Sequence, residues 1–406
     1  MASAPSTAAS RVRLADWSRP AAAFAVNGVL YGSLLTRYPE IADRVGADES
    51  EFGAALFAAA MGGLLGSLTA PALTRVVRES SATLVAGAGY ALFAVAVVWA
   101  PDLFLLAAAL LLANLFDGAH DVTMNAAAVK VQQEFGSPLM GRMHATWSLS
   151  LTGAGLLGAA AVGLGVPVLV HLGVVAAVVL AAQVAATSWR PRADVTPGSL
   201  PPPPARQRPD VPAQRGRAIR LRHLLPVLAV AALAASYVES PGQEWTGLLL
   251  SRGLDAAPQL AAVAPVLFAA GLVLSRLVLD PAQRRWGART VAAGSGVTMV
   301  LAVLAGFGVT VAEGPAGWVL VAVTVAGIGA GPVFPLLFGA GDQLSVRHGI
   351  PAARTASMVS ALSRVGAISA PVVVGPLTEA FGMAMVFAVM ATGALLVLLA
   401  LPRAVR

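Results

Sequence analysis

The stretch that decides the fold is Leu103–Asn125, LFLLAAALLLANLFDGAHDVTMN. Its first half, to Ala113, carries no charge, and its second half, from Asn114, carries two aspartates, a histidine and two asparagines. An apolar run of about 20 residues is the length a helix needs to cross a bilayer. At 100° per residue, Asn114, Asp117, Asp121 and Asn125 fall within an arc of about 80°. One polar stripe on an otherwise apolar helix faces protein or water rather than lipid. An ionised aspartate at the bilayer centre costs at least roughly 2.5–3.5 kcal/mol. Asp117 and Asp121 stand one turn apart, an arrangement suited to taking up and releasing a proton. The plainer alternative is a structural hydrogen-bonded cluster with His120 or Arg364. No set of metal ligands is visible around them.

The rest of the chain agrees with a membrane setting. Of its 406 residues 57% are hydrophobic and 12% charged, with a mean hydropathy of +0.76. Soluble domains carry about 25% charged residues, so this chain cannot cover a water-facing surface. Cysteine is absent, which excludes disulfides and thiolate metal sites. Residues 1–19 are polar and basic, with no apolar core, so no cleavable signal peptide is expected.

Apolar segments of spanning length fall at about 20–38, 51–74, 81–100, 103–126, 142–165, 167–188, 223–248, 258–279, 289–310, 315–341, 354–377 and 382–402. The expected fold is therefore an all-α integral membrane protein, with twelve transmembrane helices in two pseudo-symmetric six-helix bundles, 20–188 and 223–402. Residues 1–19 and 403–406 are tails. Residues 189–222, with PPPP at 201–204 and many arginines, cannot bury enough apolar area to fold and read as a linker.

Basic residues gather on the cytoplasmic side of membrane proteins. With both termini cytoplasmic, only Arg37, Arg44 and Arg252 of the 27 basic residues fall in outer loops. This bias also accounts for the net charge of +7. The arginine-rich linker reads as a topology anchor touching anionic lipid, and nucleic acid is not an expected partner.

The halves repeat in sequence. GLLGSLTAPALTRVVRESS (63–81) lies on GLVLSRLVLDPAQRRWGAR (271–289), and GSPLMGRMHATWSLSLTGA (136–154) on GIPAARTASMVSALSRVGA (349–367). Gly136 meets Gly349, Pro138 meets Pro351, and Gly153 meets Gly366. Duplicated halves with a site at their interface are a transporter signature.

This organisation resembles the major facilitator superfamily over residues about 20–402. The family's loop after the second span of each half follows Gly-x-x-x-Asp-Arg…Gly-Arg-Arg. The C-terminal copy keeps Arg276, Asp280, Arg284, Arg285, Gly287 and Arg289; the N-terminal copy has Ala72 at the aspartate position and keeps Arg75 and Arg78. The resemblance implies a charge network at these loops that steadies one gate. DVTMNAAAVKVQQEFG (121–136), ESPGQEW (239–245) and GPVFPLLFGAGDQ (331–343) are similar to the fucose-permease-like branch, whose span four carries an acid and an asparagine like Asp121 and Asn125. That branch's sugar–proton symporter also has an acid in span one; here Leu35 falls near that position.

Spans one, four, seven and ten line the cavity in the resembled family. Span one offers Asn27 and Tyr31. Span seven sets Ser236, Glu239, Ser240 and Gln243 on one face, with Pro241 among them, which frees backbone carbonyls. Span ten offers Phe334 among glycines and prolines. Arg364 lies too deep in span eleven to snorkel; a carboxylate partner is expected for it, from Asp117, Asp121 or Asp342. His144 and Trp147 border this region, Trp147 reading mainly as packing.

No catalytic constellation or phosphate loop is visible, so neither an enzyme nor a cofactor is expected. The function expected is secondary active transport of a small solute by alternating access, coupled to a proton or another ion through the span-four carboxylates. An exporter or uniporter of drugs or metabolites is the alternative within this class, and a non-transporting sensor or scaffold the alternative outside it. A monomer in the cytoplasmic membrane is expected, bound by lipid. Protease digestion of tags in sealed vesicles checks the orientation: both termini are digested only when the cytoplasmic face is exposed.

Overall fold

The computed structural model describes residues 14–76, 79–135, 140–188, 215–348 and 352–405. The spans in order are Leu14–Leu35, Glu49–Val76, Glu79–Ala96, Leu103–Phe135, Met140–Gly163, Val168–Ser188, Arg215–Glu244, Pro258–Leu277, Ala288–Val311, the pair Ala316–Ala330 and Val333–His348, Ala352–Phe381 and Met385–Ala404. Eleven are long and apolar enough to cross a membrane, and the shorter apolar helix Pro20–Leu35 within the first makes the twelfth. Of the expected linker, 189–214 lie outside the described residues, and 215–222 belong to the helix of span seven. Arginine, alanine, isoleucine and leucine make that stretch a competent helix former. The tail 1–13, Gly136, Pro138, Gly349, Pro351 and Arg406 also lie outside the described residues.

The sequence repeat reappears as a packing repeat. Span one packs on five, two on four, three on four and three on six; correspondingly, seven packs on eleven, eight on ten, nine on ten and nine on twelve. The halves meet through span two against eleven and span five against eight, contacts that the same repeat exchanges.

Glycine sets how near these helices come. A Cβ on Gly62 would lie 2.1 Å from the Leu111 carbonyl oxygen, and one on Gly66 would lie 1.9 Å from that of Leu115. Across the pair, a Cβ on Gly118 would meet the Gly63 oxygen at 2.1 Å. The second half repeats this, with Gly327 against Phe268 and Gly331 against Leu272. Lipid tails are as apolar as leucine, so helix association in a bilayer relies on such close contact. Gly153 has nothing within 4 Å of the equivalent position.

One end of the molecule, away from the termini, is closed. A short helix, Tyr38–Arg44, follows span one there. Arg252 of the C-terminal half donates to Asp43 at 2.7 Å, to Glu49 at 3.1 Å and to the Ala47 carbonyl at 2.9 Å. Ser50 donates to Glu379, and Phe52 meets Trp245 edge to face at 5.9 Å. Arg37 is 1% exposed, its guanidinium shared among Glu40, His171 and the Val166 carbonyl. Arg364, near the middle of the spans, donates to Ser67 at 2.7 Å.

Gly66→Ala is expected to force spans two and four apart and to cost about 1–3 kcal/mol, the usual cost of overpacking. Gly153→Ala is expected to cost almost nothing. Thermal melting of the two purified variants beside the parent checks this.

Candidate functional site

The polar face of span four is built into a hydrogen-bonded chain that starts on span one. Asn27, 5% exposed, donates from Nδ2 to Oδ1 of Asp117 at 2.6 Å. Its Oδ1 accepts from Nε1 of Trp147 on span five at 2.7 Å. The indole nitrogen can only donate, which fixes the Asn27 amide and aims its NH₂ at Asp117. Asn27 Nδ2 also lies 3.4 Å from Nδ1 of the fully buried His120. The Gln183 amide of span six is 2.9 Å from His120 Nε2. With its oxygen turned to the ring, that amide gives the otherwise unpartnered Gln183 Oε1 a donor and leaves Nδ1 to accept from Asn27. Span four is thereby tied to spans one, five and six without an ion pair.

Not every stripe residue joins this chain. Asn114 turns back to the Leu110 carbonyl of its own helix, at 3.0 Å. Asn125 donates to the Asp121 carboxylate at 2.9 Å and to the Asp121 carbonyl at 2.8 Å. His120, expected as a partner of Asp117 or as cluster glue, bonds to Asn27 and Gln183 instead.

The central cavity, about 260 Å³, lies mostly in the other half. Tyr31, Ser236, Glu239, Ser240, Gln243 and Glu244 line it, together with Phe334, Ser363, Arg364 and Ala367. Pro241 sits in the span-seven helix, one turn below Trp245, whose backbone N–H bonds the Pro241 carbonyl at 3.0 Å. A neighbouring recess of about 60 Å³ shares Glu239 and Gln243 and adds Trp147, Leu151 and Arg276. The Tyr31 and Trp147 rings stack at 6.3 Å, so the Asn27 chain reaches the cavity wall.

Arg276 was expected in the gate-loop network. It points into the site instead, to Glu239 at 3.3 Å and to the Gly331 carbonyl at 3.0 Å. The gate loop itself forms a short helix, Leu279–Trp286, ended by Gly287 at φ +79°. Arg285 lies over the Trp286 ring at 5.8 Å. Among the described residues no ion pair includes Arg75, Asp280, Arg285 or Arg289; Arg78 lies outside them.

Arg364 likewise finds a hydroxyl, Ser67, rather than a bonded carboxylate. The charge of Arg364 still acts on Asp121 through space. Sequence reading missed Gln183, whose signal was a lone amide in an apolar span, and did not single out Glu244. Trp147 packs as expected but also carries the hydrogen bond that orients Asn27. No group of three or more histidine, aspartate or glutamate side chains among the described residues is placed to hold a metal ion.

The comparisons with known proteins agree with this architecture. An uncharacterized transporter of Sinorhizobium fredii, y4wD, is 27% identical, over 96% of this chain and 98% of its own length. The crystal structure of the nucleoside transporter NupG superposes with a TM-score of 0.71 at 14% identity, covering 97% of this chain and 99% of NupG. A point mutant of NupG gives the same score and identity, covering 97% and 100%. At that identity the likeness speaks for the fold. Residues 21–351 match the model of the Major Facilitator Superfamily, and with its twelve spans and repeated packing this chain is a member of that transporter family.

Proposed function

We propose that this protein is a secondary active transporter that works by alternating access and couples a solute to protons through Asp117 and Asp121. The supporting observation is the link Asp117–Asn27–Trp147–Tyr31. A carboxylate in the middle of a span is costly as an anion. Asp117 has one amide donor and, among the described residues, no ion pair. A proton on Asp117 removes the charge that Asn27 holds, and Asn27 also holds the indole that packs on a cavity-lining ring. The proton's presence is thereby felt at the cavity wall. Asp121 stands one turn further, under the charge of Arg364, and is the group best set to exchange a proton with the open side.

With the termini cytoplasmic, the described state faces inward. The Arg252 fork, Ser50–Glu379 and the aromatic contact of Phe52 with Trp245 then form the outer gate. In the inward state the halves need no clamp at the gate loops, which fits the lack of ion pairs there among the described residues. Rocking the halves about the central cavity would break one set and make the other.

Two measurements test this reading. Asp121→Asn is expected to keep the fold, since the amide is nearly isosteric and cheaper to bury than a charge. In proteoliposomes it is expected to lose accumulation driven by a pH gradient while keeping counterflow exchange. Asp117→Asn is expected to reduce accumulation less and to shift its pH profile. Wild-type accumulation and pH dependence in both variants would make the acids structural and move the coupling role to Glu239.

Arg252→Ala is expected to weaken the closed end by about 1 kcal/mol, the scale of a partly exposed ion pair. The open-to-closed ratio at that end then rises about fivefold. The chain has no cysteine, so Ala367→Cys supplies a single reporter on the cavity wall. Its labelling by an impermeant maleimide from the outer side should accelerate by that factor in the Arg252→Ala background. An unchanged rate removes Arg252 from the gate.

A further inference from the structure

The charges around the cavity do not balance. Glu239 is paired with Arg276 at 3.3 Å. Asp121 is under the charge of Arg364, and Arg364 spends its bonded nitrogen on Ser67. That leaves Glu244. Its one bonded side-chain partner among the described residues is the hydroxyl of Ser240, at 2.7 Å. No ion pair among the described residues includes it.

Glu244 is not a surface acid. It sits at the end of the span-seven helix nearest the closed gate, beside the fully buried Trp245. It lines the cavity together with two aromatic rings from opposite halves, Tyr31 of span one and Phe334 of span ten. A carboxylate held in such a place is tolerated when a cation or a proton neutralises it. The faces of aromatic rings attract cations, ammonium groups above all. An acid without a cation, two rings and a cavity of about 260 Å³ together describe a receptor for a small organic ammonium ion.

We propose that the central cavity takes cationic amine solutes, with Glu244 as the counter-ion and Tyr31 and Phe334 flanking the charged group. The inference rests on that cavity being the solute site of the proposed transporter. The solute's charged end goes to the closed end of the cavity. Its remaining polar groups face Ser236, Gln243 and Ser363. Proton coupling at the span-four acids and solute charge at Glu244 are then separate duties, carried by opposite halves. A neutral polyol would need Glu244 only as a hydrogen-bond partner, a role that glutamine also fills.

The test uses the purified full-length protein in detergent and reads thermal stabilisation against ligand concentration. The probes are choline, benzyltrimethylammonium and tetraethylammonium, with 3,3-dimethylbutan-1-ol as the uncharged carbon isostere of choline. At least one cation is expected to raise the melting temperature in a saturable manner, and the isostere is expected to have no effect. Glu244→Gln is expected to raise the midpoint concentration of that cation at least tenfold, while Glu313→Gln, at an exposed acid outside the cavity, leaves it within about twofold. If the glutamine variant does not fold, choline against its isostere on the parent protein still decides. No response to any of the three cations, or an isostere as effective as choline, overturns the proposal, as does full binding by a folded Glu244→Gln. Cation binding without any flux in proteoliposomes would overturn the transport reading and leave the site standing. Flux of a neutral solute without cation binding would do the reverse.

Discussion

Everything in this molecule depends on helix backbones approaching one another where the hydrophobic effect gives them no reason to. In a bilayer, what favours one helix against another is close packing, along with interhelical hydrogen bonds. The chain meets this with glycines at matched places in both halves: Gly62, Gly66 and Gly118 between spans two and four, and Gly271, Gly327 and Gly331 between eight and ten. These contacts fix the helices to within the width of a methyl group. Polar groups that cannot reach water then need their partners brought to them, and only such fixed spacing can do that.

The Asn27 junction illustrates the dependence. A Cβ on Gly28 would lie 2.4 Å from the Trp147 carbonyl, and one on Gly32 would lie 2.3 Å from that of Leu151. Spans one and five therefore touch along their backbones beside Asn27. That contact brings the indole nitrogen within 2.7 Å of the asparagine oxygen. Were the two helices spaced by ordinary side chains, the indole would sit too far out, and the Asn27 amide would have no fixed orientation toward Asp117. The chemistry of the site is thus set by residues that have no side chain.

Much of the fold was legible because the membrane restricts the choices. Apolar length gave the spans, and the order of glycines and prolines gave the repeat between halves. The span-four stripe was found by its cost in lipid. What could not be read was which polar group meets which. Arg276 sits in a gate-loop motif, yet its long side chain swings to Glu239, because a flexible stem with a forked head reaches well beyond its own turn. Arg364 was assigned a carboxylate and found Ser67, since the rotation of span eleven against span two is set by Gly53 on Pro371 and Gly375 on Glu49, contacts between distant segments. Asn114 shares an arc with Asp117 but bonds its own backbone, an option every asparagine in a helix keeps.

Span ten carries a feature with mechanical meaning. Its helix is interrupted at Gly331-Pro332, and Pro335 has no N–H to offer the Gly331 carbonyl four residues before it. Arg276 of span eight supplies that missing donor at 3.0 Å while its other arm holds Glu239 of span seven. One guanidinium is therefore a strap across three helices, anchored at a joint in the middle one. Its two ends compete for the same planar head, so a force that draws Glu239 toward the cavity also twists the joint. A lysine there would keep the charge but not the fork, and the two segments of span ten would swivel independently of what the cavity holds.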